Sequence, residues 1–193
     1  MTSSTGRPPV FVLTGPSGAG KGTMVQALLA RIPRLRLAVS ATTRARRPNE
    51  VDGIHYWFLS DAEFDERLAA GDFLEYHIFP WGQRSGTLMS ELDRIAAAGD
   101  SPLLELELNG SQAVKSRVPG ALTIFIDAPI EELERRLRSR ATESSGEIEE
   151  RISLAAEQRE LAGEFDFVVE NDDRERAAEA CVGIVERELA ACG

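Results

Sequence analysis

The sequence predicts an α/β fold, with three layers built around a parallel five-stranded sheet, an inserted αβ subdomain and a lid. Three observations predict it. Short apolar runs alternate with amphipathic stretches whose apolar positions recur every three or four residues, the rhythm of βαβ units. A glycine-rich stretch ending in lysine joins the first apolar run to the first amphipathic one. Between about Asp52 and Ile95 the rhythm breaks into short aromatic runs, as an insertion over the main sheet would do.

The elements follow in order. A strand over Val10–Thr14 leads through the glycines to a helix over Lys21–Arg31 and a strand over Leu35–Ser40. The insertion is expected over about 41–98. Within it, the aromatic runs His55–Phe58 and Phe73–Phe79 flank a helix whose start is marked by Ser60 and Glu63, a capping-box spacing. The core, residues 10–40 and 100–190, resumes with a strand at Leu103–Glu107, a helix at Asn109–Arg117 and a strand at Leu122–Ile126. Helices at Ile130–Arg138 and Glu147–Leu161 enclose the polar stretch Ser139–Gly146, which reads as a mobile lid over about 139–150. A strand at Phe167–Val169 and a helix at Arg174–Ala190 close the single domain. Leu154, Leu161, Ile184 and Leu189 fall on the periodic faces and are expected in the core.

Composition narrows the function classes. At 42% hydrophobic and 28% charged, with no apolar run long enough to span a bilayer, the chain reads as globular. Met1–Pro9 reads as a loose tail lacking the apolar stretch of a secretory signal, so a cytoplasmic protein is expected. Cys181 and Cys192 lie outside any metal-ligand spacing and read as free thiols of a reducing compartment. The net charge of −10 argues against nucleic acid or an anionic membrane as partner. A phosphate-handling site must then be locally basic. The cations do cluster, at Arg44, Arg46 and Arg47 and again at Arg135, Arg136, Arg138 and Arg140. Lys21 and Lys115 are the only lysines.

Lys21 closes the loop Gly15-Pro-Ser17-Gly18-Ala-Gly20-Lys21, set between a strand and a helix. Such glycines let the backbone curl so that successive N–H groups point at a phosphate, aided by the helix N-terminus. The lysine would bridge β- and γ-phosphate oxygens of ATP. Gly22 stands where Ser or Thr usually ligates Mg²⁺, and Thr23 follows one residue later. Adenylate kinases have the same Gly-Lys-Gly-Thr arrangement. The cofactor Mg²⁺ is therefore expected on phosphates, waters and an acid at a strand end, with Thr23 and Glu105 as the protein's candidates.

Downstream lies Ser40-Ala-Thr-Thr-Arg44-Ala-Arg-Arg47-Pro-Asn-Glu50-Val-Asp-Gly53-Ile-His-Tyr56-Trp-Phe58. With Phe73-Leu-Glu75-Tyr76, Gly86-Thr87, Arg140-Ala-Thr142 and Asn171-Asp172-Asp173, it resembles the guanylate kinase family over nearly the whole chain. The resemblance implies a P-loop fold and ATP-dependent phosphorylation of GMP, and by extension dGMP. It places Arg44, Arg47 and Tyr56 on the GMP phosphate and Ser40, Glu75 and Thr87 on the base. Glu107 becomes a further acceptor contact. Two forked guanidinium groups suit a phosphate dianion, and a carboxylate suits the guanine N1–H and 2-amino donors. On the donor side the resemblance places Arg136, Arg140 and Arg151 over the phosphates and Asn171 beside the adenine. Asn-Asp-Asp could equally be a strand-end turn and helix cap. Arg135 and Arg138 read as solvated, and His55 and His77 as ordinary side chains. The partners implied are ATP and GMP, acting on a monomer or homodimer.

Besides Gly22, the chain departs from the family pattern near the acceptor. Glu105-Leu-Glu107-Leu-Asn109-Gly110 replaces D-x-D-x-Q-G, Ser85 replaces a phosphate-contacting tyrosine, and Arg46 and Asn49 replace proline and glycine. Phe79-Pro80-Trp81 carries an extra residue. Two alternatives stay open at this point: a pocket reshaped for a modified purine nucleotide or sugar phosphate, and a non-catalytic phosphopeptide-binding module.

Overall fold

The computed structural model describes residues 8–79, 81–139 and 145–192. The tail 1–7, Pro80 and lid residues 140–144, Arg140 included, lie outside the described residues.

A parallel five-stranded sheet forms the centre, in the order β2-β7-β1-β8-β9. The strands are β1 (Phe11–Thr14), β2 (Leu35–Leu37), β7 (Ser101–Glu105), β8 (Leu122–Asp127) and β9 (Phe167–Glu170). Alternating side chains of β1 feed two cores, because successive residues of a strand point to opposite faces. Phe11 and Leu13 pack with Met24 and Leu28 of α1 (Lys21–Arg31) and with Cys181 and Val185 of α7 (Arg174–Ala191). Val10 and Val12 pack on the other face with Leu92 of α3 (Met89–Ala97), Leu104, and Val114 of α4 (Leu108–Arg117). Burial pushes the Cys181 thiol up to about 12, so it behaves as a small apolar side chain.

A second, four-stranded sheet runs in the order β4-β3-β6-β5. It comprises β3 (Ala41–Thr42), β4 (Trp57–Phe58), β5 (Phe73–Ile78) and β6 (Arg84–Leu88), and it is filled by Phe64 of α2 (Asp61–Ala70) with Phe73 and Leu88. The expected strand 35–40 is thus divided, since the chain leaves the large sheet after Leu37 and enters the small one at Ala41. The capping box forms as the sequence predicts: the Glu63 N–H donates to Ser60 Oγ, and the Ser60 N–H donates to Glu63 Oε2. Gly86 is where the antiparallel pair β5–β6 closes tightly. A Cβ there would lie 2.5 Å from the Glu75 carbonyl oxygen and 2.9 Å from Tyr76 Cβ, so no larger residue fits.

Two expectations are corrected. The strand expected at 103–107 lies at 101–105, and Glu107 stands off it just before α4, with no side-chain capping bond to that helix. The apolar run continues through Leu106 and Leu108, which hid the true strand end. Leu154 and Leu161 are not core. They are 52% and 37% exposed, whereas Ile184 and Leu189 pack against the core as expected. Helices α5 (Ile130–Ser139) and α6 (Ser145–Glu160) pack against each other, and Leu154 of α6, with Leu161 just past its end, lines a cleft. Among the described residues no helix is long and apolar enough to cross a membrane.

Candidate active site

The site lies at the carboxyl ends of β1 and β7, where open parallel sheets bind ligands. Register sets Leu13 beside Glu105, so the loop leaving β1 and the acid ending β7 are neighbours. The loop curls at Gly20, whose φ of 95° is left-handed. A Cβ there would sit 2.4 Å from the Asn171 side-chain nitrogen. The loop runs into the N-terminus of α1, and no acidic residue occupies that helix's first turn, so its positive end suits an anion. Lys21 is folded back on the loop. Its Nζ donates to the Gly15 carbonyl at 2.7 Å and the Pro16 carbonyl at 3.3 Å, with Glu107 at 3.8 Å.

The expected donor-side residues converge on this loop. Arg151 donates to Ser17 Oγ at 2.9 Å. Arg136 donates to the Gly18 and Ala19 carbonyls and, at 3.0 Å, to the Asn171 carbonyl. Asn171 is 3% exposed, and its side-chain amide donates to the Ala19 carbonyl at 2.6 Å while its Oδ1 finds no partner. It therefore braces the loop from beneath. The neighbouring acids serve the helix, as Asp173 accepts from the Arg176 N–H and caps α7. Arg135 and Arg138 are exposed and pair with Glu132 and Glu134 on their own helix, in keeping with solvated side chains.

Glu105 faces the start of α1. Its Oε1 lies 3.9 Å from where a side chain on Gly22 would begin, and Thr23 is exposed one residue on. Desolvation raises the Glu105 carboxyl above its usual range, with Lys21 pulling it back and Glu107 adding to the rise. Among the described residues no three His, Cys, Asp or Glu side chains gather as a metal cage. That donor set fits Mg²⁺, which keeps several waters and takes one or two carboxylates beside substrate phosphates.

A cleft of about 1090 Å³ runs from Lys21, Glu105 and Glu107 to Ser40, Tyr56 and Glu75. Thr87 Oγ1 donates to Glu75 Oε1 at 2.8 Å, and Gly110 leaves room for the other carboxylate oxygen. Burial holds the Glu75 carboxyl above its usual pKa, against the Thr87 hydrogen bonds. Arg44 is turned away from the cleft lining onto Glu50, with bonds of 2.7 and 3.0 Å, and its guanidinium lies 5.2 Å from the Tyr56 ring centre. That pairing holds the Glu50 carboxyl down at about 2. Arg47 is exposed beside it, its N–H donating to Glu50.

The departures have local explanations. Ser85 Oγ donates to the Ala41 carbonyl at 3.0 Å, inside the small sheet. Arg84 is held by Asp61 and Asp65 over the Phe64 ring, so it does not stand in for the missing tyrosine. Trp81 is 71% exposed and stacks on Phe79. Sequence reasoning missed His55 and His77, which line the cleft, and Leu154 and Leu161, which line it from α6 and from just past that helix. It also missed Arg117, which lines the cleft and donates to the Phe73 carbonyl at 2.6 Å. The exposed side of α6 alone could have signalled that lining, since Ala155 is its only fully buried side chain among those described.

The guanylate kinase family model matches residues 7–188. A guanylate kinase of Rubrobacter xylanophilus is 43% identical over 182 residues, covering 94% of this chain and 95% of its own length. A guanylate kinase of Synechococcus sp. strain CC9311 is 46% identical over 167 residues, covering 86% and 87%. Among solved structures, a guanylate kinase from Anaplasma phagocytophilum superposes with a TM-score of 0.70 at 27% identity, covering 96% of this chain and 88% of that one.

Proposed function

Since the chain belongs to the guanylate kinase family and phosphorylates GMP to GDP with ATP, we propose how its own residues divide that work. The observation that carries the proposal is a cleft lined by both Lys21 and Glu75. The alternatives of a sugar phosphate, a modified nucleotide or a silent phosphopeptide module are not favoured by relatives that match over nearly the full chain.

On the donor side, the loop amides and Lys21 take the β- and γ-phosphates of ATP, releasing Lys21 from the Gly15 and Pro16 carbonyls. Arg136 and Arg151 already rest on the loop and lie where charge spreads during transfer; Arg140 is proposed as a third. Asn171 holds the loop's shape and borders the adenine side. On the acceptor side, Glu75, Ser40 and Thr87 read the base of GMP or dGMP, and Arg44, Arg47 and Tyr56 take its phosphate. Glu107 contributes a further contact. The small sheet with α2, about 41–98, is proposed to act as the acceptor-binding subdomain and about 139–150 as the lid.

An acceptor phosphate oxygen attacks the γ-phosphorus in line. One P–O bond forms to it and the bond to the β–γ bridging oxygen breaks, leaving ADP and GDP. The acceptor is largely ionised at neutral pH, its second pKa being about 6, so no general base is needed. When bound, Mg²⁺ neutralises charge on the transferring phosphoryl group. Glu105 and Thr23 would hold it, through water. Two free cysteines, one buried and one exposed, fit the proposed cytoplasmic setting.

Removing Mg²⁺ with EDTA should abolish turnover, and Glu105→Gln should raise the Mg²⁺ concentration for half-maximal rate about tenfold or more with KM for GMP little changed. A titration of rate against free Mg²⁺ checks this. An unchanged midpoint in the variant removes Glu105 from the metal site.

A further inference from the structure

Glu91 is a carboxylate that the proposed chemistry does not use, and it is 2% exposed. It lies in the first turn of α3, whose Leu92 and Ile95 are buried and whose helix packs on β7 of the large sheet. Both of its oxygens are fully engaged. Oε1 accepts from the Val39 N–H at 2.9 Å and from Arg94 at 2.7 Å. Oε2 accepts from the Trp57 indole at 3.3 Å and from Arg94 Nε at 3.0 Å. Burial pushes its pKa up, but the Arg94, Val39 and Trp57 hydrogen bonds outweigh that and leave it below the usual range, so it is charged at neutral pH.

The partners matter because of what adjoins them. Val39 precedes Ser40 in the crossover between the two sheets, and Trp57 follows Tyr56 at the start of β4. The Trp57 N–H donates to the Ser40 carbonyl at 2.9 Å, so the two segments are already paired through their backbones. The Trp57 ring lies against Gly53, leaving 2.9 Å where a Cβ would stand, and so steadies the loop that carries Tyr56. Helix α3 itself begins directly after β6, which carries Thr87. One buried carboxylate thus touches the neighbours of Ser40 and Tyr56 from a helix tied to Thr87.

We infer that Glu91 is a positioning residue of the acceptor site: it fixes the spacing of Ser40, Tyr56 and Thr87 and so sets affinity for GMP without touching the nucleotide. The inference rests on the acceptor assignment proposed above. A buried ion pair kept only for stability would act differently, since its loss would lower the unfolding temperature and leave substrate affinities alone.

Two variants remove the same hydrogen bond from opposite ends. Glu91→Gln keeps an acceptor for Val39 but turns an amide N–H₂ toward both the indole and Arg94 Nε, and it removes the charge that Arg94 pairs with. Trp57→Phe keeps the ring on Gly53 and removes only the indole N–H. Losing a buried hydrogen bond to a charged group should raise KM for GMP roughly five- to tenfold in each, with KM for ATP within about twofold. The double variant should be no worse than Glu91→Gln alone, because that single already lacks the indole contact. The Trp57→Phe protein decides: KM for GMP within twofold of the unmodified protein, or KM for ATP rising in parallel, overturns the inference. Absence of GMP turnover by the unmodified protein would instead overturn the acceptor assignment, before any variant is compared.

Discussion

Lys21→Ala is expected to lower kcat by roughly a hundred- to a thousandfold, the cost of removing one fixed donor from developing transition-state charge. The Lys21 side chain is 11% exposed and its ammonium group is held by two loop carbonyls, in the mouth of a loop whose helix end bears no acid. Nothing else in the first turn of α1 carries positive charge. Alanine is a good first-turn residue, and the core residues Met24, Val25 and Leu28 lie on later turns, so the fold should persist. KM for GMP should change little because the acceptor end of the cleft is untouched. Steady-state kinetics with circular dichroism on the same preparation checks both parts. Unchanged turnover would show that the phosphate loop is not where transfer occurs.

Glu75→Gln is expected to lower the preference for GMP over AMP, as a ratio of kcat/KM values, by about a hundredfold. A site built to hydrogen-bond a specific donor discriminates strongly because a wrong group leaves buried polar atoms unpaired. The carboxylate offers two acceptors to the two guanine donors, one oxygen being oriented by Thr87 and the other facing the space left by Gly110. Glutamine replaces one acceptor with a donor, which opposes a guanine N–H and favours neither base. The same burial that raises the Glu75 pKa makes a mismatched partner costly. Paired measurements with GMP and AMP read the ratio, and an unchanged ratio removes Glu75 from base recognition.

Much of this was legible in the sequence because it depends on local rules. The strand–loop–lysine–helix unit, the Ser60–Glu63 capping box and the alternation of β1 each follow from neighbouring residues. What was not legible depends on distant chain. Glu91 reaches residues 52 and 34 positions away, and no periodicity links it to Val39 or Trp57. Leu154 and Leu161 keep helical spacing yet face a cleft, because amphipathic pattern reports an apolar face and not what that face meets. Glu107 reads as strand because leucines at 104, 106 and 108 keep a strand's alternation through the turn where β7 ends. The Glu50 carboxylate in the fork of the Arg44 guanidinium is likewise a contact that no motif announces. Ser85, read as a lost contact, has a task inside the small sheet.

The central claim is that one cleft joins an ATP phosphate loop to a guanine-reading acceptor end. It is tested most directly by ATP-coupled kcat/KM values for GMP, dGMP, AMP, CMP and UMP on the unmodified protein. GMP is predicted to exceed AMP, CMP and UMP by about a hundredfold or more, with dGMP accepted as well. Equal values for GMP and AMP, or no turnover of any of the five, would contradict it.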